Sequence, residues 1–242
     1  MKPAFMNWSS GKDACFALWQ LQQQREYDIR YLFTTLNAAH KRVSMHGVRE
    51  SLLDEQARQI GIPLKKAFLN EHAAMEEYND LMRQQMAGML AEDIRYAVFG
   101  DIFLEDLKQY REKQLAQAGL QGIFPLWQQN TRELAENIVS AGFKAIIVCV
   151  NTRHLDESFV GRIIDAGFLR DLPPHVDPCG ENGEFHSFVF DGPLFKAPVK
   201  FIPGETVERT YPAINTSQKG ETSQKAPATW DHRFYFKELL EV

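Results

Sequence analysis

Only three of the 242 residues are cysteine, and Cys15, Cys149 and Cys179 stand far apart, with no CxxC pair. That excludes a disulfide framework and a zinc ribbon, and it fits a reducing, cytoplasmic compartment. Long apolar runs are missing too. The opening "MKPAFMNW" is too short for a signal peptide, and "AIIVCV" (145–150) is too short to span a bilayer, so no membrane role is expected. Positive charge is not in excess. The net charge of −5 gives no whole-chain field to draw in nucleic acid, which is not expected as a partner. Two phosphate signatures are absent as well. Walker A would need glycine at Met6 and Ser or Thr at Asp13, and no G-x-G-x-x-G occurs. There is no internal repeat.

What is present is a globular composition, 44% hydrophobic and 24% charged, sufficient for one large α/β domain or two closely packed ones. Phe5, Met6 and Trp8 close a first strand, and 28–36, 62–69, 95–100 and 144–150 read as further strands. Residues 48–60, 72–91, a stretch opened by Phe103, Leu107 and Tyr110, and 131–141 read as helices. The alternation predicts a doubly wound, mostly parallel α/β sheet with helices on both faces. After residue 170 the pattern changes to Pro- and Gly-rich chain without helical period, predicting a smaller C-terminal α+β region. "ETVERTY" and "HRFYFKELLEV" are expected to pair as a hairpin, joined by a polar, mobile 212–229 loop. Ligands of such sheets sit at the carboxyl ends of strands. Ser9–Asp13, Thr34–Thr35, Gly100–Asp101 and Asn151 all fall at such ends.

The stretch "MNWSSGKDACFALW" (6–19) passes from strand to helix through a polar turn. Free backbone N–H groups and the positive end of the helix dipole converge there, which makes an anion site. Simple capping by a serine, with an acid in the first turn, is the competing reading. Lys12 beside Asp13 separates the two. Asp13 would repel a phosphate unless a divalent metal lies between them, and Lys12 adds positive charge, so the pair suits MgATP. A second group, Glu181, Asn182, Gly183 and Glu184, sets two carboxylates three residues apart, flanked by Pro178, Cys179 and Phe185. Held together they could bind a second metal, hold ammonium or act as base for an amine; the alternative is a solvated loop. His186 is a structural histidine or a proton carrier, and Asp101 a helix cap or a pocket acid. Cys179 reads as packing, and Arg153 and Arg162 as anion ligands or solvated charges.

"SSGKDA" resembles the SGGKDS-type PP-loop of ATP pyrophosphatases. "HGVRESLLDEQARQIGIPL", "VFGDI", "GLQGIFPLW", "GFKAIIVCV", "LDESFVGR" and "CGENGEFHSFVFDGPLF" resemble, in order, segments of the diphthine–ammonia ligase family over about residues 4–203. The resemblance implies a HUP-like fold of the adenine nucleotide alpha hydrolase superfamily. It implies a PP-loop domain over 1–120 and a substrate region over 121–242. It further implies an ATP- and Mg2+-dependent ligase that adenylates a carboxylate, releases pyrophosphate and transfers ammonia. By that reading Ser9, Ser10, Gly11, Lys12, Thr34, His46, Gly100 and Asp101 meet the nucleotide, His46 near the adenine, and Asp13 holds the metal. Lys12, Asp13, Glu181 and Glu184 serve catalysis, and Asn182, Gly183 and His186 meet the substrate. The acid is a small molecule or a modified protein residue; in the family it is diphthine, a modified histidine on a translation elongation factor. At this length no glutaminase domain is expected, so the nitrogen is free ammonia or comes from a partner, and a homo-oligomer is left open. Two positions depart from the family loop. Ser10 replaces a glycine, narrowing the backbone's approach to phosphate, and Ala14 replaces a serine. His186 stands where the diphthamide enzymes usually have an acid, and it looks more like the bacterial relatives. The competing functions are a nucleotide-binding regulatory module without turnover, and another PP-loop reaction such as tRNA thiolation.

Overall fold

The computed structural model describes residues 1–43, 46–70, 73–211 and 232–242. The 212–229 stretch expected to be mobile lies outside them. Ten strands and six helices follow in chain order among the described residues: β1 (Lys2–Asn7), α1 (Lys12–Gln24), β2 (Tyr27–Asn37), β3 (Arg42–Val43), α2 (Glu50–Ile60), β4 (Leu64–Leu69), α3 (Met75–Ala91), β5 (Tyr96–Val98), α4 (Glu105–Gln117), β6 (Gln121–Ile123), α5 (Thr131–Ser140), β7 (Lys144–Asn151), α6 (Ala166–Asp171), β8 (Phe185–Asp191), β9 (Phe201–Tyr211) and β10 (His232–Glu241). None of these helices is long and apolar enough to cross a membrane.

The first sheet is parallel apart from the two-residue β3. β1 lies between β2 and β5, β4 runs beside β2, and β6 beside β5. From β1 the chain therefore winds one way through β2 and β4, and later the other way through β5 and β6. The crevice at such a reversal, above the carboxyl ends of β1 and β5, is where doubly wound sheets bind ligands. Alternation along β1 sends Ala4 and Met6 to one core and Phe5 to the other. The first core is shared with α1, α2 and the second sheet. The other lies under α3 and α4, with Phe33, Met86, Met89 and Phe99. Burying Met86 and Met89, at 5% and 1% exposure, is the packing role that the Met-rich helix implies.

One expectation fails. β7, read as another member of the parallel sheet, belongs to a separate antiparallel sheet in the order β8-β7-β10-β9. Its residues 145–151 are all buried, and burial on both faces erases the alternation that separates antiparallel from parallel strands. The predicted hairpin is present: β9 and β10 pair antiparallel from Tyr211↔His232 to Phe201↔Glu241.

The two sheets meet at the turn after β1. Val189 N–H of β8 donates to Ser10 O at 3.0 Å. The buried amide of Gln56, on α2, donates to Ser10 O (3.1 Å) and Val189 O (2.7 Å) and accepts from Trp8 Nε1 (2.7 Å). The hydroxyl of Ser187 accepts from Lys12 N–H at 3.2 Å. The candidate anion turn is thus sewn to the second sheet.

Candidate nucleotide and carboxylate site

α1 begins at the N-cap Gly11, which has no side chain to cap it, and the first-turn Lys12 N–H goes to Ser187 Oγ of β8. Capping by a serine of the turn itself is thereby excluded. Ser9 Oγ makes only a 3.4 Å bond with Gly11 N–H, and Ser10 points into the protein. The start of this 13-residue helix leaves the positive end of its dipole facing a cavity of about 630 Å3. Gly100, at the end of β5, lets that strand touch the turn: a Cβ there would stand 2.9 Å from Ala14 N and 3.0 Å from Asp13 C. Thr34, Thr35 and His46 line the same cavity, together with Asp101, Gly183 and His186.

Ser10 has φ 70°, in the left-handed region that favours glycine, and its buried Oγ has no hydrogen-bond partner among the described residues. The departure from the family loop therefore carries a cost in backbone conformation and in an unpaired hydroxyl. Ser10→Gly is expected to stabilise the fold by about 1 kcal/mol, read as a higher urea midpoint at unchanged slope.

Lys12 is buried, 3% exposed. Its ammonium donates to Asp13 Oδ1 (3.0 Å) and Oδ2 (2.8 Å) and to the Cys179 carbonyl, and it lies over the Phe185 ring. Burial works against its charge, but Asp13 outweighs it and holds the ammonium protonated. Burial also raises Asp13's pKa, with Lys12 opposing. Asp101 does not cap α4, whose N-cap is Leu104. It forms an ion pair with Arg111, with Nε 2.7 Å from Oδ2, and Arg111 lies over Phe99. Burial lifts Asp101 despite Arg111.

The two glutamates part company. Glu181 lines the cavity, and its Oε1 accepts from Ile102 N–H (2.8 Å) and Phe103 N–H (3.4 Å) beyond β5. Burial, helped by the charges of Asp13 and Asp101, pushes its pKa up to about 7. Glu184 lies outside the cavity lining, 1% exposed. Its Oε1 accepts from Asp177 N–H (3.1 Å) and Asn182 Nδ2 (3.0 Å), fixing the turn from inside. Asn182 is exposed and also outside the lining. The reason is local: Gly183 (φ 84°) turns the chain between the two acids, and Gly180 (φ 69°) turns it just before the first. Asp177 completes the turn, its Oδ2 accepting from Cys179 N–H and Glu181 N–H.

Cys179 contributes its carbonyl. Its thiol, lifted by burial, donates to Thr131 O at 3.3 Å and packs. His46 and His186 stack, with centroids 4.4 Å apart at 28°. Burial lowers both pKa values, His46 to about 4 and His186 well below the ordinary value. His46 stands beside the loop itself, its Cε1 3.2 Å from where a Gly11 Cβ would be. Arg162 pairs with Asp171 and lies over Phe159 and Phe168, outside the cavity lining. Sequence reasoning missed Gln56, Asp177, Ser187 and Arg111. The visible signal was a glutamine on the apolar line of α2.

Among the described residues no three His, Cys, Asp or Glu side chains form a metal cage. The donor set still fits magnesium in the manner that uses one or two carboxylates and completes the shell with phosphates. Asp13 is a quarter exposed beside the open helix end, and Asp101 and Glu181 are close enough for their charges to repel Asp13.

The family description "Diphthamide synthase N-terminal domain" matches residues 1–122, and "Diphthamide synthase C-terminal domain" matches 130–218. Among curated proteins, the diphthine–ammonia ligase of Mus musculus is 24% identical over 227 residues, 85% of each chain. That of Danio rerio is 25% identical over 231 residues, 82% of this chain and 86% of its own. The Bos taurus protein of the same name is 32% identical over 117 residues, and that match spans 46% of this chain and 44% of the bovine one.

Proposed function

Since the chain belongs to the diphthamide synthase family, we propose that it is an ATP-dependent ligase that joins ammonia to a carboxylic acid, with diphthine the first acid to test. The observation that carries this reading is the start of α1, where the glycine N-cap, Lys12 and Asp13 open into the same cavity as Glu181. A carboxylate cannot expel oxide, so it is first joined to the α-phosphorus of ATP while pyrophosphate leaves; ammonia then displaces AMP. The N–H groups of α1 and the Lys12 ammonium bind and orient the phosphates. Asp13 would hold magnesium, which when bound neutralises the departing pyrophosphate. Glu181, poised near neutrality, takes the proton that the incoming nitrogen must lose. Glu184 acts through the turn rather than on substrate.

A sulfur-relay reaction is disfavoured, because Cys15, Cys149 and Cys179 are separate buried thiols. The test supplies MgATP, ammonium and a diphthine-bearing elongation factor, and follows pyrophosphate together with the mass change of acid to amide. Asp13→Asn is expected to lower pyrophosphate release on the order of a hundredfold while the circular dichroism spectrum is unchanged. MgATP bound without pyrophosphate release, across diphthine and a panel of metabolite acids, would favour the regulatory module instead.

A further inference from the structure

Glu238 stands on β10, in the second sheet, and takes no part in the reaction above. It is nonetheless buried, 8% exposed, and its Oε2 accepts from two arginines of the first sheet's loop, Arg42 Nη2 at 2.8 Å and Arg49 Nη2 at 3.0 Å. Burial works against its charge, but the two guanidiniums outweigh burial and hold it ionised. Arg42 is used twice, because its Nη1 also donates to Gly47 O at 2.7 Å. Gly47 is pressed against β10: a Cβ there would stand 2.9 Å from the Phe236 ring. Gly47 N–H donates to Val43 O and Val43 N–H to Val48 O, which ties the two ends of this loop together. His46 is next to Gly47.

A single contact assigns the tautomer of the His46 ring. Its Nδ1 lies 3.4 Å from Ser187 O, and a carbonyl can only accept, so Nδ1 carries the proton. The neutral ring then keeps a lone pair on Nε2, in a side chain that lines the cavity beside Gly11.

We infer that Glu238 is a positioning residue, which through Arg42 and Arg49 fixes residues 46–49 against β10 so that His46 offers Nε2 as a hydrogen-bond acceptor to the bound nucleotide. The nucleotide half of this rests on the proposed function; the positioning half does not. The contrast lies in the same hairpin, where the Arg233–Glu208 pair is long, 3.5 Å, and solvent-exposed, so it is expected to matter little.

The test uses the full chain. Ring-proton NMR of the histidines without ligand should show His46 and His186 titrating at depressed pH in the parent and in Glu208→Ala. In Glu238→Ala both should move up towards the ordinary histidine range as the stack opens to water, and MgATP affinity by calorimetry should fall about tenfold. Glu238→Gln, which keeps shape and an acceptor but loses charge, should fall between and serves if the alanine variant does not fold. Unchanged histidine titration in a folded Glu238 variant overturns the positioning role. Moved histidines with unchanged MgATP affinity overturn the link to the nucleotide. A parent protein that binds no MgATP at all would count against the proposed function, while the histidine titration still decides the positioning role.

Discussion

Replacing Lys12 by alanine is expected to abolish pyrophosphate release and to cost the fold about 3 kcal/mol. Two losses combine. The ammonium satisfies the Cys179 carbonyl and both oxygens of Asp13 from a position 3% exposed, so its removal strands an acceptor and a carboxylate. Asp13 keeps some contact with water, which places the cost at the low end for a broken buried pair. The functional loss is separate, because α1 then presents its first turn to phosphate with no cation but the metal. Urea unfolding reads the first effect and calorimetry with MgATP the second. Undiminished MgATP affinity in the variant would put the phosphates elsewhere.

Glu181→Gln is expected to lower turnover at pH 8 by about two to four orders of magnitude and to flatten the rising limb of the pH–rate profile. A carboxyl lifted from 4.5 to about 7 is mostly protonated below neutrality, so the base form, and the rate, should rise with pH through about 7 in the parent protein. Glutamine keeps an oxygen for Ile102 N–H, so the loop beyond β5 stays in place. Stability should move the opposite way. With the folded pKa above the unfolded one, Glu181 favours the fold below about 4.5, and that contribution is lost as pH rises through about 7. The variant should therefore gain on the parent in urea between pH 5 and pH 8. A variant with the parent's pH profile would remove Glu181 from proton transfer.

Much of the first sheet could be read locally. The residues of β1, β2, β4 and β5 carry their own pattern, and the polar turn after β1 announces itself by interrupting an apolar run. What could not be read depends on partners far along the chain. Gln56 is visibly odd on an apolar helix face, but its partners Ser10 and Val189 lie 46 and 133 residues away. β7 is buried at all but its first position, and no pattern remains to tell which sheet it joins. Glu181 and Glu184 look equivalent by spacing, and only the left-handed backbone at Gly180 and Gly183 sends one to the cavity and the other into the turn. Ser10 was legible as a departure from the family loop, but the positive φ that makes it costly was not.

The bonds that finish the turn after β1 also set when it can exist. Lys12 N–H waits for Ser187 Oγ, 175 residues downstream, and Lys12 Nζ for the Cys179 carbonyl, 167 downstream. A chain emerging from the ribosome can pair β1 with β2 and β5 long before β8 has been made. During that interval the helix end has its donors but lacks the strand that holds it in place. Contacts of such sequence separation close late and slowly. The candidate site is thus completed after the strands that bear it, because the turn after β1 gains its last partners only once Cys179 and Ser187 have been translated.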